Sequence, residues 1–434
     1  MLRKALITLA GLAVVGIGGF AAFAAFAYRP EIAPSKADNM PMFSAEVVEQ
    51  GRLMAAAGFC AECHTVPGGA PYAGGYGMET GFGTLYATNI TPDRETGIGA
   101  YSEAAFARAM HQGVDREGRH LFPAFPYDHF TLMSDADVRA IYAYLMTEVK
   151  PVRHTVPENG LPFPLNLRIW QAGWKLLFVD LGRFEPDPDK SDAWNRGAYL
   201  VEGASHCGAC HTPRNLLGAE NRSQDFAGAE IDQWIAPALT ADNPASIRWT
   251  ADDFTAYLKT GVTRDHGVAA GPMAPVVHAG LRELPDSDLD AIGVYLGDRV
   301  GTPQSEAEAE AAITASLTAG KPDGGYRLEQ GERLYASACA ACHYNATRIA
   351  PGRPDLGINS ATRLEAPDNL VQVILNGVGN HEGMDGVVMP GFRQALSDQQ
   401  IAAIAAYLRA SRTDYAAWPD LVATVSRIRG ADDH

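Results

Sequence analysis

The chain has 434 residues, 47% of them hydrophobic and 20% charged, and its 51 acidic and 35 basic residues give a formal net charge of −16. This acidic balance argues against nucleic-acid binding, which requires basic patches that contact phosphate, and the apolar fraction is too high for a disordered chain. The length predicts roughly two to four domains, and six cysteines are too few for a disulfide scaffold in a chain of this size.

The first predicted element is a long apolar segment. Arg3 and Lys4 precede an uncharged run from Ala5 to Tyr28, and about 20 apolar residues are enough for a helix that crosses a membrane. We therefore expect residues 1–28 to form one transmembrane anchor, with a cytoplasmic N-terminus and an exported body, because basic residues precede the run. Ala25-Phe26-Ala27 resembles a small-residue cleavage site and leaves a cleaved signal peptide as the alternative.

All six cysteines occur in one repeated pattern. They form three C-x-x-C pairs, each followed directly by histidine: Cys60, Cys63 and His64; Cys207, Cys210 and His211; Cys339, Cys342 and His343. C-x-x-C-H is the attachment signature of c-type haem, in which each thiol forms a thioether to the porphyrin and the histidine ligates the iron. Disulfide, zinc or thioredoxin-type sites do not require a histidine after every pair. The sequence therefore predicts three covalently bound haem c groups, whose attachment again implies export.

The sequence around the motifs is also repeated. A helix-like segment precedes each motif and contains a glycine shortly before the first cysteine, namely Gly51, Gly197 and Gly331. Well after each motif a second helix is predicted, and these closing helices align without a gap at residues 133–145, 284–296 and 396–408. Ser134 and Ser397 are natural N-caps for the first and third of them.

These repeats predict a mainly α chain that resembles the class I cytochrome c fold over most of residues 45–412. We expect three tandem domains of this kind behind the N-terminal helix, at residues 44–150, 192–298 and 326–412. Residues 151–191, rich in proline and aromatic residues, and the polar residues 299–325 are the predicted linkers. In the first linker, residues 167–179 are predicted to pack on a haem domain, with a membrane surface as the alternative.

Two methionines are the predicted second axial ligands. An electron-transfer haem usually has such a ligand, often methionine, which raises its potential. Met273 lies in Gly-Pro-Met-Ala-Pro and Met389 in Val-Met-Pro-Gly-Phe, each shortly before a closing helix. Prolines fix the backbone of these loops. Met384 is the weaker candidate in the third domain.

The first domain departs from this pattern. Phe125 stands where Met389 stands in the third domain, and phenylalanine cannot ligate iron. His129 follows four residues later, and imidazole is a common iron ligand. We therefore predict that His64 and His129 ligate haem 1 and give it a lower potential than the His/Met haems. The alternatives are Met78, Met110, His120, Met133 or an open coordination position.

The chain as a whole resembles the membrane-anchored triheme cytochrome c subunits of bacterial periplasmic dehydrogenases. The segments that carry this resemblance are GFGTLYATNITPDRETGIG at 81–99, NRGAYLV at 195–201 and CGACHTPR at 207–214. The resemblance implies an electron-transfer subunit without catalytic residues of its own. Such a subunit takes electrons from a catalytic subunit and passes them to ubiquinone or an oxidase chain, with its haem domains on the periplasmic side of the bacterial inner membrane.

One segment indicates the branch of this family. Residues 122–130, Phe-Pro-Ala-Phe-Pro-Tyr-Asp-His-Phe, are similar to the branch that accompanies molybdenum hydroxylases. The resemblance then implies an aldehyde dehydrogenase-type partner with molybdopterin and a small iron–sulfur subunit. Two alternatives remain: the cytochrome subunit of a quinoprotein alcohol or flavin sugar dehydrogenase, and a haem enzyme or small-ligand binder that uses an open haem 1.

Overall fold

The structure is a computed structural model that describes residues 2–36, 41–320, 329–343, 353, 355–379 and 389–431. The chain forms two compact units. Met1–Ala55 and Cys60–Phe184 make up the first unit, and Ala56–Phe59 and Glu185–His434 make up the second. The first C-x-x-C-H motif lies in the first unit and the other two lie in the second. The structure thus groups the predicted second and third domains in one unit.

Helices and a hairpin build the first unit. Its elements are α1 (Leu2–Ala27), α2 (Ala45–Ala57), α3 (Cys60–Cys63), β1 (Gly77–Thr80), β2 (Gly83–Tyr86), α4 (Glu103–Gln112), α5 (Tyr127–Phe130), α6 (Asp135–Thr147) and α7 (Trp170–Phe178). β1 and β2 pair antiparallel. The side chain of Ser134 accepts the backbone N–H of Asp137 at the start of α6, which confirms the predicted N-cap.

The apolar run at the start of the chain is helical. α1 follows it from Leu2 to Ala27, and Val14, Val15 and Ile17 are exposed on this helix. In the part of the chain that the structure describes, no helix is long and apolar enough to cross a membrane. The anchor expected at residues 1–28 stays a prediction. Several side chains in the first half of α1 lie outside the described part.

The second unit is also mainly helical. Its helices are α8 (Asp192–Ala198), α9 (Gly208–His211), α10 (Ala251–Thr260), α11 (Met273–Pro275), α12 (Asp286–Val300), α13 (Glu306–Ala319), α14 (Gln330–Ala338), α15 (Ala340–His343), α16 (Asp368–Asn376), α17 (Asp398–Arg412) and α18 (Leu421–Ala431). The hairpins are β3 (Ala229–Ile231) with β4 (Trp234–Ala236), and β5 (Val262–Thr263) with β6 (Gly267–Val268).

The same close helix crossing occurs in all three repeats. The glycine before each haem motif faces the backbone of the closing helix of its own repeat. A Cβ added to Gly51, Gly197 or Gly331 would lie 1.9, 2.0 or 2.1 Å, respectively, from the carbonyl oxygen of Ala140, Ala291 or Ala403. Ordinary contacts begin at 3.4 Å, so no side chain fits at these positions. The repeated glycines therefore allow the two helices of each repeat to pack backbone against backbone.

The core of the third repeat extends past its predicted boundary at residue 412. Ser397 and Gln400 form the capping box of α17, which confirms the predicted cap. α18 then packs against α17 and α16. The buried apolar residues of this core are Tyr335, Leu370, Val371, Ile374, Leu375, Ile401, Ala402, Ile404, Ala405, Leu408, Trp418, Val425 and Ile428. The last two belong to α18, so residues after 412 are part of the folded unit.

The predicted linker at 299–325 contains the helix α13 (Glu306–Ala319). Its alanine and glutamate residues favour helix formation, and Ser305 and Glu308 form a capping box at the start of α13. Ile313 of this helix packs with Ile247 and Ile358. The segment therefore joins the second and third repeats in one apolar contact.

In the other predicted linker, α7 packs on the first unit through one face. The buried Lys175 donates from Nζ to the carbonyl oxygens of Gln112 and Gly113 at 2.7 and 2.9 Å, at the C-terminal end of α4. A positive charge is favourable at this end of a helix. Leu176 and Leu177, on the other face, are 69% and 70% exposed. The favoured interpretation, packing on a haem domain, thus applies to one face of α7.

Candidate haem-binding sites

Each C-x-x-C-H motif lies in a single helical turn. α3, α9 and α15 each contain four of the five residues of a motif, and the fifth residue directly precedes or follows the helix. No disulfide joins any of the six cysteines, all of which belong to the described part of the chain. Residues at positions i and i+3 share one face of a helix. The two thiols of each motif can therefore reach the same porphyrin, as thioether attachment requires.

The first two motif histidines are oriented by the same kind of hydrogen bond. His64 Nδ1 donates to the Thr88 carbonyl oxygen at 2.6 Å, and His211 Nδ1 donates to the Pro237 carbonyl oxygen at 2.7 Å. This bond fixes the tautomer and leaves Nε2 with a lone pair for a metal. Sequence reasoning missed both partners, because a main-chain carbonyl has no residue signature. The residues that follow His343 (344–350) lie outside the described residues.

Burial keeps the motif side chains neutral. It raises the pKa of the Cys60 and Cys207 thiols to about 12 and that of Cys339 to about 11, with a further increase from the neighbouring cysteine of each pair. Burial also lowers the pKa of His64 and His211, against the effect of their carbonyl partners. A neutral imidazole is the form that ligates a metal. These groups thus fit an apolar haem pocket.

The second unit encloses a cavity of about 320 Å³ that includes two of the predicted sites. Cys207, Cys210, His211 and Met273 of the second repeat line it, together with Cys339, His343 and Met389 of the third. Most other lining residues are apolar or aromatic, among them Trp234, Leu258, Ile292, Leu370 and Ile404. Three of the four thiols, both imidazoles and both thioethers required for two His/Met haems thus line one largely apolar cavity, so the residues fit haem c.

A polar side chain in this cavity was not singled out from the sequence. His266 is 6% exposed and stacks on Trp249 with ring centroids 4.0 Å apart, and its Nε2 lies 3.4 Å from Asp253 Oδ2. Both rings line the cavity. The sequence between His266 and Met273 contains no motif that would indicate a role for His266. Its role as a buried polar group beside the second site emerges only from the packing.

A common register marks the sixth-ligand position in the three repeats. α4, α10 and α16 are each followed by a glycine with positive φ, namely Gly113, Gly261 and Gly377, at 59°, 75° and 78°. Twelve residues after these glycines stand Phe125, Met273 and Met389, respectively. Both methionines line the cavity. The sequence register counted from these glycines therefore gives Phe125 the place that methionine has in the other repeats.

The same register bears on His129. The residue lies on α5 and is 9% exposed. The equivalent residue in the second repeat is Val277, which is 0% exposed and packs in the protein interior, whereas its neighbour Val276 lines the cavity. Ligation of haem 1 by His129 stays a prediction. It requires the side chain of His129 to face the haem, whereas the equivalent side chain in the second repeat, Val277, does not line the cavity.

The other candidates for haem 1 have different surroundings. Met110 and Met133 are buried, with 4% and 1% exposure. His120 Nε2 is 2.8 Å from the Ala27 carbonyl oxygen, so one ring nitrogen is already bonded. Met78 lies in β1, opposite Leu85. In the third repeat, Met384 lies outside the described residues.

Two family models match the chain. Residues 48–148 match the model described as cytochrome c, and residues 327–408 match cytochrome C oxidase, cbb3-type, subunit III. The first range contains Cys60, Cys63 and His64, and the second contains Cys339, Cys342 and His343. Both matches agree with covalent haem c as the cofactor, since cytochrome c domains carry it.

Relatives of similar length agree with this assignment. The chain is 38% identical over 389 residues to the fructose dehydrogenase cytochrome subunit of Gluconobacter japonicus, covering 83% of this chain and 78% of that protein. It is 37% identical over 381 residues to the gluconate 2-dehydrogenase cytochrome c subunit of Pantoea cypripedii, covering 84% and 85%.

A longer relative is more similar in sequence. A nicotinate dehydrogenase subunit of Pseudomonas putida is 47% identical over 406 residues, which are 93% of this chain but 33% of that protein, so the chain spans about a third of its length. The chain covers most of the length of the shorter relatives, which are cytochrome subunits of dehydrogenase complexes. The chain therefore belongs to the family of cytochrome c subunits of dehydrogenase complexes, and it is an electron-transfer subunit, not a catalytic one.

Proposed function

We propose that this chain carries three covalently attached haem c groups and relays electrons from a catalytic dehydrogenase subunit to ubiquinone or a terminal oxidase chain. The observation that carries the proposal is the repeated haem-binding geometry. Each C-x-x-C-H turn follows a close helix crossing, and the imidazoles of His64 and His211 are held in the same way. Three such sites, in which every cysteine is used, support three haems.

The residues of each site have distinct tasks. The cysteines would hold the porphyrin covalently, and Nε2 of His64, His211 and His343 would ligate the iron. Met273 and Met389 would each offer a thioether as a second ligand, which favours the ferrous state and raises the potential. The bound haem supplies one-electron oxidation and reduction. The apolar cavity lining excludes water and thereby disfavours the extra charge of the ferric state.

For the catalytic partner we propose a molybdenum hydroxylase-type dehydrogenase with a small iron–sulfur subunit. The 47% identity to the nicotinate dehydrogenase subunit of Pseudomonas putida supports this choice, and so does Phe125 in place of methionine. The alternative is a quinoprotein alcohol dehydrogenase or a flavin-dependent sugar dehydrogenase. The cytochrome subunits of fructose and gluconate dehydrogenases, at 38% and 37% identity, support that alternative.

We also propose that the haem-bearing units lie on the periplasmic side of the bacterial inner membrane. Haem c is attached outside the cytoplasm, and Arg3 and Lys4, in the first turn of α1, precede its apolar run in the orientation expected for export. Leu176 and Leu177 add exposed apolar surface on α7. Cell fractionation followed by a carbonate wash tests this: haem staining of the chain should remain with periplasm-accessible membranes, and recovery in the cytoplasm would contradict the proposal.

The number of haems can be counted directly. A pyridine haemochrome assay on the full chain is expected to give three haems per polypeptide. Cys207→Ser/Cys210→Ser and Cys60→Ser/Cys63→Ser are matched double variants, and each should give two. A wild-type chain with two haems, or a double variant that still holds three, would contradict the proposed count.

The electron-transfer role requires the partner. The purified chain, mixed with its co-purifying dehydrogenase and that enzyme's substrate, should show reduced haem bands in stopped-flow spectra, and a ubiquinone analogue should reoxidise them. Identification of the large co-purifying subunit decides the branch, because a molybdopterin protein supports the proposal and a quinoprotein or flavoprotein supports the alternative. Oxidation of an alcohol or aldehyde by the chain alone would refute the electron-transfer role.

One observation favours a second candidate function. Phe125 occupies the sixth-ligand register of the first repeat, so haem 1 lacks the thioether that haems 2 and 3 receive. An open position would bind small ligands, and the surrounding side chains would then decide the chemistry. Carbon monoxide added to the reduced protein distinguishes the two states: a spectral shift of one haem in three indicates an open position, and no shift excludes this function.

A further inference from the structure

The haem sites of the second and third repeats share a structural wall. Four residues of the β3–β4 hairpin line the cavity that contains both sites, namely Ile231, Trp234, Ile235 and Ala236. Asn369 and Val373 of α16 line it as well. The hairpin belongs to the second repeat and α16 to the third. Contacts between these two elements therefore set how close the two sites can be.

One asparagine binds the hairpin to α16 through two hydrogen bonds. The Ile235 backbone N–H donates to Asn369 Oδ1 at 2.7 Å, and Asn369 Nδ2 donates to the Ile235 carbonyl oxygen at 2.8 Å. The two bonds use the donor and the acceptor of the same residue, as a neighbouring strand would. They define both the distance and the orientation of the β4 backbone relative to α16.

The turn of the hairpin makes further contacts with the third repeat. Asp232 and Gln233 have φ of 48° and 60°, which is the conformation of a tight type I′ hairpin. The Gln233 carbonyl oxygen accepts from Gln372 Nε2 at 3.4 Å, and Gln233 Oε1 accepts from Arg427 Nη1 at 3.2 Å. The rigid turn thus supports the Asn369 contact from the same side.

The hairpin also reaches the ligand loop of the second site. A Cβ added to Gly271 would lie 2.3 Å from Cε2 of Trp234, so the indole packs directly on the backbone two residues before Met273. A continuous set of contacts therefore runs from α16 through Asn369 and the hairpin to the methionine of the second repeat.

We propose that Asn369 is a positioning residue that fixes the spacing of the second and third haem sites, so that their haems form an electron-exchange pair within the chain. This inference rests on the proposed function. An electron passes from a ferrous to a ferric iron, so one haem is oxidised and the other is reduced. No bond forms or breaks, and no proton is required.

The test is the magnetic interaction between the two ferric haems in the full chain. Cys60→Ser/Cys63→Ser removes haem 1, so pulsed electron paramagnetic resonance reports only haems 2 and 3. The dipolar interaction between two haems falls steeply with distance, and the second and third sites line one cavity. In this background we therefore expect a strong interaction. Asn369→Ala should weaken and broaden it. Asn369→Asp keeps the acceptor for the Ile235 N–H, so its dipolar interaction should be intermediate between those of the wild type and Asn369→Ala. This variant replaces Asn369→Ala in the test if the alanine variant does not bind haem.

A matched control removes the same bonds elsewhere. Asn195 Oδ1 accepts from the Asp187 N–H at 2.7 Å, and Asn195 Nδ2 donates to the Asp187 carbonyl oxygen at 2.8 Å, away from the cavity wall. Asn195→Ala should leave the haem–haem interaction unchanged. Hydrogen exchange of the Ile235 amide should accelerate about 30-fold in Asn369→Ala, as expected for two lost hydrogen bonds, and should not change in Asn195→Ala.

Two results would overturn the inference. One is an unchanged haem–haem interaction in Asn369→Ala although the Ile235 amide exchanges faster. The other is the absence of an interaction between haems 2 and 3 in a fully loaded chain. A fully loaded, magnetically coupled chain that no dehydrogenase reduces would instead refute the proposed function and leave the positioning role of Asn369 intact.

Discussion

Replacement of Gly197 by alanine tests the helix crossing on which each haem site depends. The new Cβ would lie 2.0 Å from the Ala291 carbonyl oxygen, and contact at 3.4 Å would require α8 and α12 to separate by about 1.4 Å. Overpacking of this kind typically costs about 1–3 kcal/mol. Because the clash is with backbone, which cannot rotate away, we expect a loss of about 3 kcal/mol, or a decrease in Tm of about 6–12 °C for a unit of this size.

The measurement is thermal unfolding of the haem-loaded chain, followed by circular dichroism and by the haem absorbance. Gly430→Ala is the matched control, because Gly430 is also helical and lies in the second unit, but its added Cβ meets no atom within 4 Å. Alanine there should be neutral or stabilising by up to about 1 kcal/mol. Equal Tm values for the two variants would refute the packing argument.

Three other predictions concern the ligands, a buried lysine and a buried arginine. Near-infrared magnetic circular dichroism should show two methionine-ligated haems in the wild type, three in Phe125→Met and one in Met273→Phe. Three methionine-ligated haems in the wild type would refute the inference that Phe125 takes the place of the methionine ligand in the first repeat. His129→Ala should alter the haem 1 spectrum, and an unchanged spectrum would refute its ligation. Burial, with a smaller effect of a nearby arginine, lowers the pKa of Lys175 to about 7 from its ordinary value of 10.5, so between these pH values the unfolded state binds more protons. The stability of the wild type relative to Lys175→Met should therefore rise with pH across this window, by at most about 1.4 kcal/mol per pH unit, and a flat difference curve would contradict this. Arg409 donates to three backbone carbonyl oxygens, so Arg409→Met should cost about 3 kcal/mol in urea unfolding; a change under about 0.5 kcal/mol, ordinary for a surface substitution, would show that these bonds contribute little.

Features set by neighbouring residues were predictable from the sequence. The C-x-x-C-H turns, the caps at Ser134 and Ser397 and the positions of the closing helices depend on contacts within one helical turn, and the structure places the caps and helices as predicted. The glycines before each motif were visible as a repeat, although only the 1.9–2.1 Å approach to a carbonyl oxygen explains why they must be glycine.

Composition is a weaker guide to packing than to local structure. The alanine and glutamate residues at 299–325 suggest a polar spacer, but the same residues form helix α13 and bury Ile313 against the second and third repeats. The predicted end of the third domain at residue 412 omits α18, whose Val425 and Ile428 complete the core. The apolar pattern of a short helix does not say which distant surface it covers.

The sequence by itself predicts the chemistry of this protein: where haem c would attach, which histidines would ligate it, and that the first repeat lacks the methionine of the other two. Such chemistry depends on the identity and local spacing of side chains, which a linear sequence records directly. The tertiary structure decided the carbonyl partners of His64 and His211, the common cavity of the second and third sites and the bonds of Asn369 to Ile235. These depend on distances between segments far apart in the chain, which only the packing of the folded backbone fixes.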